Sequence, residues 1–167
     1  MKSGKISRIV SALTLSSVIA MPAFAVTVTR ADGQAMNPNG EPFSASGITS
    51  LAKGAIDANC TATFNGTITS TGIVTITSAQ FSGGSVCGLI SGSATSTSPW
   101  TGQADTAFQL SIDNAKVTVA LLGGCGPSKV VTAWSNSDSS LTFNDAVLSP
   151  DCKVSGTSKT SPAFRFQ

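Results

Sequence analysis

Beyond residue 25 no stretch repeats its apolar residues at helical spacing. Thr, Val, Ile and Phe alternate with polar residues in short runs, broken by Gly, Asn, Asp and Ser. A period of two places every second side chain on one face of a strand. Such a chain buries its apolar faces by packing one sheet on another or by closing a sheet on itself. Ser and Thr supply 40 of the 142 residues from 26 to 167, which suits half-exposed strands and turns.

The runs place strands at residues 26–30, 43–50, 60–64, 67–69, 73–81, 86–90, 106–112, 115–122, 129–135, 140–147 and 153–156, with the tail Phe164-Arg165-Phe166 as a last one. Asn65-Gly66 is the strongest hairpin signal, and Asp113-Asn114 reads as a second. Residues 91–105 read as a Ser/Thr/Gly-rich loop around Pro99-Trp100. These twelve candidate runs, read as about nine to eleven short strands with turns every 8–12 residues or so, predict an all-β fold. The expected architecture is a disulfide-tied antiparallel β-sandwich or a partly open barrel. It spans residues 43–167 as one domain, preceded by an N-terminal arm, residues 26–42, that is mobile or docked on an edge.

The first 25 residues have the form of a cleaved signal peptide. Lys2, Lys5 and Arg8 precede an uncharged stretch from Ile9 to Ala20, and Ala23-Phe24-Ala25 supplies small residues for cleavage between Ala25 and Val26. The apolar run is shorter than the roughly 20 residues of a membrane span, and no later run reaches that length. The whole chain carries a formal charge of +2, with ten basic and eight acidic groups. Cleavage removes three basic groups and no acidic one, leaving seven against eight, a charge of −1. No polybasic patch remains, so nucleic acid is not an expected partner.

Cys60, Cys87, Cys125 and Cys152 all follow the leader. An even count behind a signal peptide predicts two disulfides in an oxidising compartment. Three pairings are open. Equal separations of 27 positions favour Cys60 with Cys87 and Cys125 with Cys152. The cysteines contain no C-x-x-C and there is no His, so a zinc site is not expected.

The remaining chemistry is sparse. Absence of His and Tyr removes imidazole bases and phenol nucleophiles, and charged residues are 11% against a usual figure of about 25%. Ser50-Leu51-Ala52-Lys53 fits S-x-x-K, and Lys159-Thr160-Ser161 loosely echoes a K-T-G element. The chain is about half the length that fold needs, however, and lacks S-D-N. Lys53 reads as a solvated lysine at a strand end. Glu41 is the single Glu, placed in the arm, while Asp57, Asp105, Asp113, Asp138, Asp145 and Asp151 fall at predicted turns. A calcium site built from two neighbouring turns, such as Asp138 with Asp145, is the minor alternative to Asx-turns and caps. Trp134 alternates within a strand and is assigned to the core, against a disulfide as in many sandwiches. Trp100, in a polar loop, is either a lid over one end of the fold or an exposed residue, and is the candidate surface contact. No catalytic residue, cofactor or metal is expected.

The order and spacing of several segments carry a family likeness. These are Met1-Lys2-Ser3, Phe43-Ser44-Ala45-Ser46-Gly47, Cys60-Thr61-Ala62-Thr63-Phe64-Asn65-Gly66, Ile76-Thr77, Phe81-Ser82-Gly83 and Cys87. They continue with Cys125-Gly126-Pro127, Trp134, Leu141-Thr142-Phe143, Cys152-Lys153-Val154 and Ser161-Pro162. Over nearly all of residues 43–167 the chain resembles the activators of alkane oxidation of the PraA/PraB type found in pseudomonads. The resemblance implies a secreted, non-enzymatic accessory protein, extracellular or at the cell surface, that promotes contact with hydrocarbon or its dispersion. The alternative is a surface or biofilm fibre subunit that self-associates through its N-terminal arm by β-strand addition.

Overall fold

A computed structural model describes residues 26–167; the leader read over residues 1–25, including Ala25 at the cleavage junction, lies outside the described residues. Eleven strands follow in chain order: β1 (Val28–Arg30), β2 (Glu41–Lys53), β3 (Ile56–Ile68), β4 (Ile73–Gly83), β5 (Ile90–Gly92), β6 (Trp100–Thr106), β7 (Gln109–Val119), β8 (Gly123–Ser135), β9 (Ser140–Leu148), β10 (Cys152–Ser161) and β11 (Phe164–Phe166). A single 3-10 turn, Cys87–Leu89, lies between β4 and β5.

The strands form a ring. Antiparallel ladders run β7-β6-β4-β3-β2-β10-β9-β8, and β8 pairs back onto β7, so eight strands close into a barrel. The fold is therefore all-β and disulfide-tied, and of the two architectures expected it is the barrel, with its ladder closed. Closure satisfies the polar backbone edges that an open sheet leaves free. Alternation does the rest. In β3, Ala58, Cys60, Ala62 and Phe64 point inward and are buried, while Asp57 and Asn59 face solvent. The same rule carries Val74 and Ile76, Leu110 and Ile112, and Leu141 and Phe143 into one core.

Two strong turn signals do not make turns. Asn65-Gly66 lies inside β3, at a bulge where the register against β4 shifts. Gly66 is required there because a Cβ would stand 2.0 Å from the carbonyl oxygen of Thr75. The chain instead reverses at residues 69–72, where the Gly72 N–H bonds to the Thr69 carbonyl at 3.0 Å. Asp113-Asn114 likewise lies within β7, at a register shift against β8, with Asn114 at φ 62°. The two strands predicted on either side of it are one. A longer strand with a bulge retains ladder hydrogen bonds that a hairpin at that point would discard. Residues 100–105, read as loop, form β6 together with Thr106. Asp57, Asp105, Asp113 and Asp145 accordingly sit in strands, not turns.

One end of the barrel is closed by the arm. β1 pairs with β11 in a separate two-stranded sheet, placing Val28 opposite Phe166. Val28 is fully buried, and its N–H bonds to the Ser70 carbonyl at 2.8 Å. Arg30 pairs with both Asp32 and Glu41, and Glu41, buried at the start of β2, accepts the Asn37 N–H at 2.9 Å. Phe166 stacks on Trp134 with ring centroids 4.1 Å apart, so the partner of Trp134 is this ring and not a disulfide. Asn136 holds the Phe166 backbone on both sides, with both bonds at 2.8 Å.

Candidate functional site: the apolar end of the barrel

The opposite end is built differently. Both disulfides lie there. Cys60–Cys87 ties the 3-10 turn to the beginning of β3, and Cys125–Cys152 joins the beginnings of β8 and β10, with Cα separations of 5.6 and 6.0 Å. Each crosslink removes loop-closure entropy from the unfolded chain, worth about 3–4 kcal/mol for loops of this size.

Four aliphatic side chains project from this pinned end. Leu121 is 99% exposed, Leu122 43%, Leu89 41% and Val86 38%. They belong to one surface, because the Ala120 N–H donates to the Leu89 carbonyl at 2.8 Å and the Leu89 N–H to that of Val86 at 3.1 Å. The β7–β8 turn is closed by the Leu122 N–H on the Val119 carbonyl at 3.1 Å. Leu121 also has φ 70°. A γ-branched side chain in the left-handed region costs on the order of 1–2 kcal/mol, which Gly or Asn would avoid. A leucine that is both strained and fully exposed gains nothing for the fold, and observed strain of this kind marks functional surfaces. Exposed aliphatic clusters are the physical sign of an interaction site. The sequence carried a faint trace of it: the apolar run of β7 continues through Leu121-Leu122 into Gly123-Gly124, where a polar turn would be usual.

Among the described residues, the two apolar voids found inside the barrel are small. Phe64 separates two internal voids of about 30 and 40 Å³. Small-molecule sites occupy roughly 300–1,000 Å³. Phe64 packs against Phe81, Trp100 and Phe143, with centroids 6.0 to 6.3 Å apart, so aromatic rings fill the space a ligand would need.

Trp100, the candidate surface contact, is corrected: it is only 5% exposed. As the first residue of β6 it points inward, and its Nε1–H is satisfied by the Ser93 Oγ at 3.1 Å. A period-two strand left this indole no outward option once residues 100–106 paired with β4 and β7.

The S-x-x-K residues do not meet either. Ser50 and Lys53 are three apart in β2 and face opposite sides; the Ser50 hydroxyl donates to Asp57 at 2.6 Å. Lys53 is buried, not solvated. Its ammonium pairs with Asp151 and lies 3.2 Å from the Cys125 Sγ. Asp138 sits in the β8–β9 turn beside Lys159, and Asp145 within β9 accepts a hydrogen bond from Ser155, so the two carboxylates of that alternative have separate partners. Among the described residues, the one cluster with ligand-like spacing is Cys125, Asp151 and Cys152, whose sulfurs are bonded to each other. No helix among the described residues is long and apolar enough to cross a membrane.

Compared with known proteins, the chain matches the profile of one family, described as alkane oxidation protein activator PraA/PraB-like, over residues 7–167. Neither the curated proteins nor the solved structures contain a significant match.

Proposed function

We propose, from the premise that this chain belongs to the alkane oxidation protein activator PraA/PraB-like family, that it is a secreted, non-enzymatic accessory protein. In this reading it touches hydrocarbon with the apolar end of its barrel, at the cell surface or beyond it. The carrying observation is Leu121, fully exposed at positive φ beside Leu122, Leu89 and Val86 on a disulfide-pinned platform. The filled interior favours contact at an oil–water boundary over carriage of a chain inside the barrel. Two disulfides favour an oxidising destination. Purified protein is expected to lower hexadecane–water interfacial tension at micromolar concentration. The double substitution Leu121→Asp and Leu122→Asp should abolish the effect while leaving the thermal midpoint within a few degrees. Equal surface activity in wild type and double variant would overturn this assignment.

A fibre-forming subunit is the second reading, favoured by one observation. β1 is only three residues long, pairs only with β11, and is joined to β2 through an exposed segment. The same strand could seat on β11 of a neighbouring copy. Thr29 and Arg165 are register partners. Thr29→Cys with Arg165→Cys should yield disulfide-linked multimers on oxidation if strands are exchanged, and only crosslinked monomer if they are not.

A further inference from the structure

A cavity roomier than either void of the interior lies neither inside the barrel nor at its apolar end. It is an open groove of about 300 Å³ on the flank, where the segment between β5 and β6 crosses the middle of β7 and the start of β8. Ser93, Ser98 and Pro99 line one side, and Asn114, Lys116 and Pro127 the other. Trp100, itself buried, also borders it.

Three features make this a formed site. The crossing segment is held in one shape: the Ser93 N–H bonds to the Lys116 carbonyl at 3.0 Å, and the Thr95 and Ser98 backbones close on each other at 3.2 Å. The Ser98 N–H also bonds to the Thr95 hydroxyl at 3.0 Å, and Ala94 is buried beneath. Across the groove, two successive register shifts in β7, one on each side of Ala115, release Asn114 and Lys116 from the regular ladder against β8. Finally, Lys116 makes no ion pair among the described residues, and of the four cations in that position (Lys116, Lys129, Lys153 and Arg165) it is the one that lines the groove.

The lining specifies a ligand class. A carboxamide and two hydroxyls donate and accept in turn, as ring hydroxyls require. The two proline rings add small apolar faces to this polar lining. The lining holds one charged group, Lys116, and no carboxylate, so it favours an anion over a cation. There is no continuous apolar floor, so a bare alkyl chain is not favoured.

We propose that this groove binds an acidic saccharide, with the Lys116 ammonium on a uronic-acid carboxylate and Asn114, Ser93 and Ser98 on ring hydroxyls. The site does not depend on the hydrocarbon reading. A protein carrying both would join a polysaccharide to an apolar surface.

The test is an NMR titration of the protein, with both disulfides formed, by trigalacturonate, maltotriose and acetate. Trigalacturonate should shift amides of residues 93–98, 100, 114–116 and 128, and bind about tenfold tighter than maltotriose. Acetate should leave those amides in place at the same concentration. Lys116→Gln should remove the tenfold preference and keep the spectrum folded. The double substitution Leu121→Asp and Leu122→Asp should leave binding unchanged while removing surface activity, which separates the two sites. Absence of shifts with trigalacturonate, equal binding of maltotriose, or reproduction of the shifts by acetate would each overturn the proposal.

Discussion

Lys53 keeps an ammonium in a buried position by pairing it with Asp151 and laying it against the Cys125–Cys152 disulfide. Removing one partner of such a pair strands the other, whereas replacing the cation with an apolar side chain of similar shape removes the desolvation cost too. Asp151→Asn should therefore destabilise by about 1–3 kcal/mol, a range lowered because Asp151 is half exposed. Lys53→Met should cost less, and urea unfolding of both variants would rank them. Asp32 has a simpler role. Its carboxyl is held below the ordinary range, chiefly by the Arg30 guanidinium and next by the Gln34 N–H. The folded protein thus binds fewer protons there than the unfolded chain does. The contribution is complete above the ordinary Asp pKa of about 4 and is lost as pH falls through the lowered value. Asp32→Asn should flatten the acid limb of the stability–pH curve while leaving its neutral slope unchanged, as followed by thermal unfolding from pH 2 to 7.

At the scale of elements, the legible signals were the strands and the misleading ones were the glycines. Asn-Gly between alternating runs is a hairpin signal because both residues accept positive φ. Gly66 is needed for a different reason, the close passage of the Thr75 carbonyl behind a bulge. Nothing local distinguishes the two uses, since the approaching oxygen belongs to another strand. Gly66→Ala should cost at least about 2 kcal/mol, because backbone must move to admit the methyl group. At Gly84 a methyl group would meet no heavy atom within 4 Å and φ is not positive, so Ala should be accepted there within about 0.5 kcal/mol. Denaturant midpoints at equal slope would decide it, and equal losses at the two glycines would refute the close-approach account. The arm follows the same logic. Its polar composition over residues 31–39 concealed that Arg30 and Glu41, eleven residues apart, anchor both ends.

Across the whole molecule, the barrel is filled rather than hollow, with Phe64 at the centre of three aromatic contacts and voids on either side of it. Phe64→Ala would merge those voids, and the lost burial together with the cavity predicts a cost of about 3–5 kcal/mol. Calorimetry would measure the loss, and an unchanged thermal midpoint would mean that the interior collapses around the gap. The charge balance also operates at this scale. With seven basic and eight acidic groups from residue 26 onward, long-range repulsion between copies or with a surface is weak.

By itself the sequence determined the all-β class, the disulfide count and the family likeness. It did so because alternation, cysteine number and motif order are properties of neighbours along the chain. Only the tertiary structure decided which bulges replaced turns, that Trp100 and Lys53 were buried, and that the sheet closed. It also brought Val86 and Leu89 beside Leu121 and Leu122, about thirty-five residues apart in the chain. Those outcomes depend on which strand lies next to which. Ladder closure selects that pairing through backbone hydrogen bonds and shared burial summed over the whole ring, quantities that no single segment carries.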